Sequence, residues 1–428
     1  MGLPVDQQLK RMLDGVDEFL PSEADLRARI ESKGTLRVKL GLDPTHTDLT
    51  IGHAVVLQKL RDFQDLGHTA VLIIGDFTAL VGDPSGRSKT RPQLTEADIA
   101  QFAKTFADQA GHILDMGKVE IRYNSEWLAK LSMRETIELT QKITVARMLE
   151  RQDFSTRYKG EIPIYVHEFL YALLQGYDSV AVESDIELGG TEQKFNLLMG
   201  RQVMPDYGLE PQMVLTMPLL VGTDGVEKMS KSLNNYIALT ENPRDMFGKV
   251  MSIPDEIIGN YFQLAVGRTA DEVAAMERAM EQGQNPMDFK LDLAEAITAR
   301  FHSPKVAQAE RENFKSAFSD HDKEAIAEEV AVAVDLIDSK TTALDLLTIG
   351  AGDSESIAEK AGFKSRNEAR KLIEQGAVRL NSEKLNDPNE RVGISADDLI
   401  EVGKKKAFRV SEVVETSSDE LHRRCSGD

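Results

Sequence analysis

Two lysines stand in a glycine- and serine-rich stretch of an otherwise acidic protein. The stretch runs from Val221 to Pro243 (VGTDGVEKMSKSLNNYIALTENP) and contains Lys228 and Lys231, whereas the 428-residue chain has a formal net charge of -20. Lysine, serine and glycine are common in turns, so composition alone favours a solvated surface turn. A helix start capped by serine is a second alternative, and a chance grouping of these residues is the third.

A histidine occupies another position suited to anions. In GLDPTHTDLTIGHAVVL, His53 follows Gly52 at a predicted helix start, directly after a strand that carries Gly41. Helix N-termini present unpaired N–H groups and a partial positive charge, and glycine lets a ligand approach the backbone. A histidine at a helix start is nevertheless more often a capping or packing residue. The Gly–His pair alone leaves both alternatives open.

A polar face on a predicted helix is the third candidate. In YALLQGYD, Tyr171, Gln175 and Asp178 follow the spacing i, i+4 and i+7, which lies on one face of a helix. Such a face is normally a solvated polar stripe. The nearby HEFLY, which begins at His167, misses the zinc-protease pattern because Tyr171 stands where the second histidine belongs. We therefore expect no metal tightly bound by the protein.

The elements that must position these residues follow a strand–helix–strand pattern. TLRVKLGLDP alternates like a strand, TIGHAVVLQKLRDFQDLGH has helical spacing, and AVLIIGD has the composition of a buried strand. A second such pattern follows in IYVHEFLYALLQGYD, VESDIELGG, a helix around Phe195 to Gly200, and MVLTMPLLVG. Two half-sheets about a hundred residues apart predict an α/β fold, namely a split Rossmann parallel sheet with a helical insertion. Thr95 and Asp98 predict the N-cap of one inserted helix.

The rest of the chain divides into a helical part and a basic part. From about Asn242 to Ala351 the pattern predicts helices, including the acidic stretch DHDKEAIAEEVAVAVDL. The helix SRNEARKLIEQ and the short strands AVRLN and DLIEVG then predict a small α+β unit. Between Lys360 and Val410 there are twelve basic and eight acidic residues, which gives a local charge of +4. This basic part of the chain could bind a polyanion. The predicted domains are 1–235 (Rossmann domain with its insertion), 236–350 (α-helical domain), 351–415 (small α+β domain) and 416–428 (C-terminal tail).

Composition excludes several classes of protein. With 41% hydrophobic and 29% charged residues the chain has ordinary globular composition. Cys425 is the only cysteine, so no intramolecular disulfide and no cysteine-based metal cluster can form. No run of about 18 apolar residues occurs, and MGLPVDQQLKRMLDG lacks the apolar stretch of a signal peptide. We expect a soluble, cytoplasmic protein that makes no membrane contact.

TIGH and KMSKS, in this order, resemble the two signatures of class I aminoacyl-tRNA synthetases. Three further stretches, GDFTALVGDPSGRSKTRP, YALLQGYD and GGTEQKFNLLMGR, each resemble a segment of the tyrosyl-tRNA synthetases. The basic C-terminal unit resembles the S4 RNA-binding domain of bacterial members, and the chain looks more like the second bacterial type. The resemblance runs from about Leu36 to Val410. It implies an enzyme that makes tyrosyl-adenylate from L-tyrosine and ATP and then esterifies the terminal adenosine of a tyrosine tRNA.

The resemblance also implies roles for individual residues. In this reaction the protein positions the substrates and stabilises negative charge on the phosphates. The catalytic residues that it implies are His53, Thr45, Lys228 and Lys231. The ATP-binding residues are Gly41, Asp43, Thr50, Gly52, Glu192, Met229, Ser230, Ser232, Arg87 and Arg91. The tyrosine-binding residues are Lys39, Asp83, Tyr171, Gln175, Asp178 and Gln193. The RNA-binding residues are Lys364, Arg366, Arg370, Lys371, Lys404, Lys405 and Lys406.

The chain departs from the family pattern at three of these positions. Thr50 stands where the first signature begins with histidine, so a hydroxyl must replace an imidazole or the contact is lost. Glu192 replaces a usual aspartate near the adenylate ribose, and its longer arm changes the fit of the sugar. Lys39 stands where one common bacterial type has a tyrosine near the phenol of the substrate. The sequence alone does not identify the partner of Lys39.

The resemblance further implies the partners of the protein. These are L-tyrosine, ATP, tyrosine tRNA and a second copy of the chain in a homodimer, with the helical domain on the anticodon side of the tRNA. Magnesium is expected on the phosphates of ATP, held mainly by phosphate and water. A tryptophan-specific relative is an alternative that Asp178 and the S4-like unit disfavour. A catalytically weak S4-type RNA-binding or regulatory protein is another, which intact Lys228, Lys231 and His53 disfavour.

Overall fold

The computed structural model describes residues 3–85, 94–319, 327–335, 340–349, 356–363, 365–403 and 406–416. The chain forms two compact units, Met1–Ala307 and Gln308–Asp428, which are described separately below. No helix among the described residues is long and apolar enough to cross a membrane.

A six-stranded sheet forms the centre of the N-terminal unit. Its strands are β1 Glu18–Leu20, β2 Arg37–Leu42, β3 Thr69–Ile74, β4 Val119–Tyr123, β5 Ile186–Gly190 and β6 Met213–Met217. The order across the sheet is β1-β6-β5-β2-β3-β4, and all neighbours are parallel except β1, which runs antiparallel to β6. The sequence prediction of a split Rossmann sheet is confirmed, because β2, β3 and β4 precede the inserted helices whereas β5 and β6 follow them.

The helices up to Ser319 belong to the N-terminal unit, except that the last of them continues past Ala307 into the C-terminal unit. They are α1 Val5–Leu13, α2 Glu23–Lys33, α3 Ile51–Asp65, α4 Thr78–Val81, α5 Glu96–Ala110, α6 Ser125–Leu128, α7 Met133–Thr140, α8 Val145–Leu149, α9 Gln152–Lys159, α10 Val166–Ala181, α11 Lys194–Val203, α12 Pro243–Met251, α13 Ile258–Tyr261, α14 Ala270–Glu281, α15 Pro286–Phe301 and α16 Pro304–Ser319. Short 3-10 turns cover Thr191–Gln193, Met204–Tyr207, Lys231–Leu233 and Asp255–Ile257, and a π-helix covers Phe262–Val266.

Local sequence explains where the helices that matter for the site begin. Thr95 and Asp98 form the predicted capping box of α5, in which each side chain accepts a hydrogen bond from the other's backbone N–H at 3.2 Å. Helix α5 connects β3 to β4 within the first half-sheet, so its assignment to the insertion is wrong. Helix α3 buries one apolar face, including Leu57, Leu60 and Phe63, against β2 and β3. Burial of that face fixes the start of α3 beside the carboxyl end of β2.

The C-terminal unit contains a mixed five-stranded sheet. Its strands and helices are β7 Glu328–Asp335, β8 Lys340–Thr342, α17 Ala343–Thr348, α18 Ile357–Lys360, α19 Arg366–Glu374, β9 Val378–Leu380, β10 Glu383–Leu385, β11 Arg391–Gly393, β12 Leu399–Val402 and β13 Lys406–Thr416. The sheet order is β10-β9-β12-β13-β7, and β8 pairs separately with β11. The helix and the two strands predicted for the basic unit are therefore present.

One secondary-structure prediction for this region is wrong. We expected helix throughout the acidic stretch before residue 350, but Glu328–Asp335 is the edge strand β7, which pairs in parallel with β13. Its sequence EEVAVAVD alternates, so Val330, Val332 and Val334 enter the core of the C-terminal unit together. The helical prediction for 236–350 is therefore wrong at strands β7 and β8, although α17 is a helix, and β7, β8 and α17 belong to the same compact unit as the S4-like residues.

Candidate active site

Most of the predicted site residues lie at one edge of the Rossmann sheet. Asp43 directly follows β2, Gly75 directly follows β3, and Glu192 lies just beyond β5. The carboxyl ends of parallel strands meet at the same edge of a sheet, which is where ligands bind in open α/β folds. A Cβ on Gly75 would lie 2.1 Å from Asp43 Oδ1, so only glycine lets β3 end this close to the carboxylate.

The start of α3 is organised by Thr50 and His53. The backbone N–H of Thr50 donates to His53 Nδ1 at 3.1 Å, and the Thr50 hydroxyl lies 2.8 Å from the same nitrogen. Thr50 therefore caps the helix and orients the imidazole. Because Nδ1 accepts the backbone hydrogen bond, the neutral ring carries its proton on Nε2, from which it can donate to an anion.

The electrostatics around His53 keep the ring neutral. Burial, together with the positive charges of Lys231 and Lys228, lowers the pKa of His53 to about 4. The two lysines of the second signature therefore lie near the imidazole of the first. A Cβ on Gly52 would lie 3.7 Å from Met229 Cβ, which indicates that the KMSKS loop packs directly on the start of α3.

A buried asparagine holds the KMSKS loop in shape. Asn235 Nδ2 donates to Asp224 Oδ2 at 2.7 Å and to the carbonyl of Lys228 at 3.1 Å, and Asn235 Oδ1 accepts from the N–H of Ser230 at 2.7 Å. The hydroxyls of Ser230 and Ser232 lie 2.8 Å apart. The backbone N–H of Met229 donates to the carbonyl of Leu220 at 2.9 Å. These bonds fix the backbone from which both lysine side chains extend.

The two lysines of this loop have different neighbours. Lys228 Nζ lies 3.4 Å from Glu192 Oε1, and both side chains are partly exposed. The other oxygen of Glu192, Oε2, is buried without a hydrogen-bond partner among the described residues. Lys231 Nζ lies 5.6 Å from the ring centroid of Phe106 on α5, and burial lowers the pKa of Lys231 to about 8.

Asp43 joins the phosphate side of the site to the polar face of α10. Its Oδ2 accepts from the Tyr171 hydroxyl at 3.0 Å, and its Oδ1 accepts from the Thr78 hydroxyl at 2.8 Å. The carbonyl of Asp43 accepts from the N–H of Thr45 at 2.8 Å. Because the Tyr171 hydroxyl donates to Asp43, the lone pairs of its oxygen are directed to accept from another donor, such as an ammonium group.

Asp178 lies on the same face of α10 as Tyr171, two turns closer to the C-terminus of the helix. It is 4% exposed, and its carboxylate accepts from Trp127 Nε1 at 2.8 Å and from Asn124 Nδ2 at 3.2 Å. Burial raises the pKa of Asp178 to about 7, although the positive charge of Lys39 and the two hydrogen bonds oppose the rise. The carboxyl group is therefore a buried, strongly held acceptor for a polar group.

Asp83 and Gln193 form a second polar cluster. Gln193 Nε2 donates to Asp83 Oδ2 at 2.8 Å, and Asn196 Nδ2 donates to Gln193 Oε1 at 2.9 Å. Arg151 completes this cluster by donating to Asn196 Oδ1 at 3.0 Å and to the Ser85 hydroxyl at 2.7 Å. An amide and a carboxylate held together in this way can bind the ammonium and carboxylate groups of an amino acid.

Comparison with known proteins identifies the family. The family model described as "tRNA synthetases class I (W and Y)" matches residues 31–319, and the S4 domain model matches residues 357–399. The tyrosine–tRNA ligase of Aquifex aeolicus is 47% identical over 406 residues, which are 95% of this chain and 98% of that protein. The tyrosine–tRNA ligase of Thermotoga maritima is 47% identical over 407 residues, again 95% and 98% of the two chains. The chain belongs to the tyrosine–tRNA ligase family.

Solved structures agree with this assignment at the level of the fold. The tyrosyl-tRNA synthetase of Archaeoglobus fulgidus, solved with L-tyrosine, has a TM-score of 0.59 at 23% identity and covers 72% of this chain and 100% of its own. That of Aeropyrum pernix has a TM-score of 0.58 at 19% identity and covers 74% and 98%. The predicted family, the predicted fold class and the predicted activity of an aminoacyl-tRNA synthetase for tyrosine are confirmed.

Several site residues implied by the family resemblance can now be located together. Thr50, His53 and Met229 meet at the start of α3, and Gly41 lies exposed in β2. Gln175 and Lys39 both bond to a residue that sequence reasoning missed, Glu187. The predicted residues Arg87, Arg91, Lys364, Lys404 and Lys405 lie outside the described residues.

The predicted RNA-binding residues in the described part of the C-terminal unit have varied surroundings. Arg366 forms an ion pair with Asp345 and donates to the Thr348 hydroxyl at 2.6 Å, so its guanidinium is bound within the unit. Lys371 is exposed, whereas Arg370 and Lys406 are half-buried. A phosphate contact from Arg366 would therefore have to share the guanidinium with Asp345.

Sequence reasoning missed the residues that support the site from other elements. Asn124, which precedes α6, and Trp127, within α6, bond to Asp178. Phe106 lies beneath Lys231, and Glu187 lies inside β5. Only Glu187 gives a signal in the sequence, because it is a charged residue within the otherwise apolar strand IELGG. A buried charge in a central strand predicts a buried partner of opposite charge.

Proposed function

We propose that the chain activates L-tyrosine with ATP and transfers it to tRNA through the residues described above. A carboxylate oxygen of tyrosine attacks the α-phosphorus of ATP, the bond from that phosphorus to the bridging oxygen breaks, and pyrophosphate leaves. A hydroxyl of the terminal adenosine of tyrosine tRNA then attacks the carbonyl carbon, and AMP leaves. The substrate supplies the nucleophile in each step, so the protein contributes positioning and charge stabilisation.

We assign the phosphate side of the reaction to His53, Thr45, Lys228 and Lys231. The neutral imidazole of His53 donates from Nε2, and the two ammonium groups stabilise the charge that builds on the departing pyrophosphate. In support of this, the charges of both lysines affect His53. Lys228 must leave Glu192 before it can hold phosphate, and ribose hydroxyls are suitable donors for the unpartnered Oε2 of Glu192.

We assign recognition of the amino acid to the polar face of α10 and to the Asp83 cluster. Asp178 accepts from the phenolic hydroxyl, and Tyr171, Gln175 and Asp83 receive the ammonium group. The observation that carries this assignment is the buried carboxyl group of Asp178, held by two donors on one helical face with Tyr171 and Gln175. Burial of an acceptor matters because a ligand without a matching donor leaves it unsatisfied.

Amino-acid-dependent exchange of labelled pyrophosphate into ATP tests this function. We expect exchange with tyrosine, and far weaker exchange with tryptophan or phenylalanine at the same concentration. Asp178→Ala is the matched variant, because it should lower exchange with tyrosine without a comparable loss for phenylalanine. Equal exchange with tryptophan and tyrosine in the unmodified protein would contradict the assignment.

We propose that magnesium enters with ATP. Among the described residues, no group of three or more His, Cys, Asp or Glu side chains is arranged to hold a metal ion. The phosphate side instead carries Lys228 and Lys231, whose charges suit phosphate oxygens rather than a cation. The magnesium ion would neutralise phosphate charge, and it is held by phosphates and water.

We also propose that the protein works as a homodimer in the cytoplasm, with tRNA bound partly by the C-terminal unit. In support of a dimer, the helical insertion exposes Met133 by 76%, Val145 by 63% and Val166 by 79%. Val166→Asp should yield a smaller species in sedimentation or light scattering, with Lys159→Asp as the control for a surface charge change. An unmodified protein that sediments as a monomer would contradict the proposal.

The assignment of segments stays a proposal as well. Residues 1–235 would form the adenylate, 236–350 would face the anticodon side of the tRNA, 351–415 would contact RNA, and 416–428 would be a tail. In the C-terminal unit, β7 pairs with β13, the strand that begins at the RNA-binding candidate Lys406. The segment that acts on RNA would therefore include β7.

A further inference from the structure

Lys39 lies inside the sheet as a buried cation with every ammonium hydrogen engaged. Its side chain is 1% exposed, and Nζ lies 2.9 Å from Glu187 Oε1, 2.7 Å from the Ser179 hydroxyl and 3.2 Å from the carbonyl of Gln175. An ammonium group has three N–H donors. Lys39 is therefore fully occupied by protein and offers no donor to a substrate.

Glu187 is the centre of the same network. Its Oε1 accepts from Gln175 Nε2 at 3.0 Å, and its Oε2 accepts from the Ser179 hydroxyl at 3.1 Å and from Gln212 Nε2. The network joins β2, β5 and the residue before β6 to two positions of α10. The network thereby fixes the rotational orientation of α10, the helix that carries Tyr171 and Asp178.

We infer that Lys39 and Glu187 are a buried positioning pair for tyrosine recognition. The pair orients Gln175 and sets the electrostatic potential at the carboxyl group of Asp178, and neither residue contacts the substrate. This inference rests on the proposed roles of Gln175 and Asp178. Stability alone does not account for the pair, because replacing a buried ion pair by apolar residues of similar volume is often neutral or stabilising. The pair instead adjoins Gln175 and acts electrostatically on Asp178, the two residues to which we assign recognition of tyrosine.

The charges of the pair act on Asp178 with opposite signs. Lys39 on β2 lowers the pKa of Asp178, and Glu187 on β5 raises it, while Asn124 and Trp127 are neutral donors to the carboxyl group. Burial is the largest influence and raises the pKa of Asp178 to about 7. The carboxylate form of Asp178 is the stronger acceptor for a phenolic hydroxyl. The charges of Lys39 and Glu187 therefore both affect the selectivity for tyrosine near neutral pH.

The test compares Lys39→Met and Glu187→Gln in the full-length protein. The readout is the ratio of kcat/KM for tyrosine to kcat/KM for phenylalanine in pyrophosphate exchange, measured from pH 6 to 9. This ratio cancels the titrations that the two amino acids and ATP share. Ser179→Ala is the matched control, because it removes a bond to both members of the pair without changing charge.

We expect the selectivity ratio of the unmodified protein to fall as pH drops through about 7, because Asp178 becomes protonated. Lys39→Met should move this fall to higher pH by about one unit, the size of effect typical of a nearby opposite charge. Glu187→Gln should move it to lower pH. Ser179→Ala should leave the midpoint in place even if it lowers both activities.

Opposite shifts for the two charge variants would support the positioning pair, and shifts of the same sign or no shift would overturn it. If either single variant fails to fold, judged by circular dichroism, the neutral double variant Lys39→Met/Glu187→Gln decides. The influence of Lys39 on Asp178 exceeds that of Glu187, so the double variant should still move the midpoint upward. An unmoved midpoint in the double variant would overturn the inference. Failure of the unmodified protein to activate tyrosine would instead contradict the proposed function.

Discussion

The proposed phosphate contact of Lys231 should make adenylate formation depend on pH in a way that arginine removes. Burial against Phe106 lowers the pKa of Lys231 to about 8, and the negative charge of Asp48 only partly opposes this. The ammonium charge is therefore present below pH 8 and is lost as pH rises through that value. Arginine at this position keeps its charge throughout the accessible range.

The size of the effect follows from the contact that is lost. A hydrogen bond to a charged group contributes about 1.5–3 kcal/mol, which corresponds to roughly ten- to a hundredfold in rate. The charged fraction of a lysine with this pKa falls from about nine tenths at pH 7 to about one tenth at pH 9. Because the uncharged form keeps roughly a tenth to a hundredth of the rate, kcat/KM for ATP should fall by about five- to ninefold over that interval through this residue. Lys231→Ala should be slow at every pH.

Rapid mixing with saturating tyrosine and limiting ATP measures the rate of adenylate formation directly. The rate of the unmodified protein divided by that of Lys231→Arg cancels titrations that the two proteins share, since under these conditions kcat/KM for ATP reports groups of the enzyme–tyrosine complex and of free ATP. This quotient should decrease between pH 7 and pH 9. A quotient that is constant over this range would refute the role of the Lys231 charge, as would a normal rate for Lys231→Ala.

Three further outcomes are expected. Asp178→Ala should lower the tyrosine-to-phenylalanine ratio of kcat/KM by about ten- to a hundredfold, because a charged hydrogen bond is lost, and an unchanged ratio in a folded variant would remove the assignment of Asp178. The folded protein holds His53 neutral with a pKa of about 4, whereas the unfolded chain protonates it near 6.5, so the free energy of unfolding should fall as pH drops from about 6.5 to about 4. Urea unfolding of His53→Gln should show a weaker fall over that range, and equal pH dependence of the two proteins would contradict the burial argument. A chain ending at Ser319 should keep tyrosine-dependent pyrophosphate exchange but aminoacylate tRNA poorly, and undiminished tRNA affinity in a binding assay would disprove a role of the C-terminal unit.

The sequence predicts the parts of the site that lie close together along the chain. His53 and the KMSKS lysines can be found because their signatures are local, and Tyr171 and Asp178 because helical spacing aligns them. The partner of Lys39 could not be predicted, since Glu187 lies on β5, far along the chain and joined to β2 only by sheet formation. Contacts of this kind depend on register between strands, which periodicity does not specify.

The same limit explains the error at β7. The alternation in EEVAVAVD indicates a strand, but it follows an acidic stretch with helical composition and its pairing partner β13 comes much later in the chain. A strand that pairs with a distant segment leaves no local signal of its partner. The N-cap of α5 at Thr95 was predictable for the opposite reason, because both partners of the capping box lie within one turn.

The pairing of β7 with β13 also determines which fragment of the C-terminal unit can be handled alone. β13 is hydrogen-bonded to β12 on one side and, from Phe408 to Thr416, to β7 on the other. A fragment that begins at residue 351 lacks β7 and leaves the N–H and C=O groups of that long strand open to another chain, a common route to aggregation. A soluble RNA-binding fragment must therefore begin before Glu328, well upstream of the segment that resembles an S4 domain.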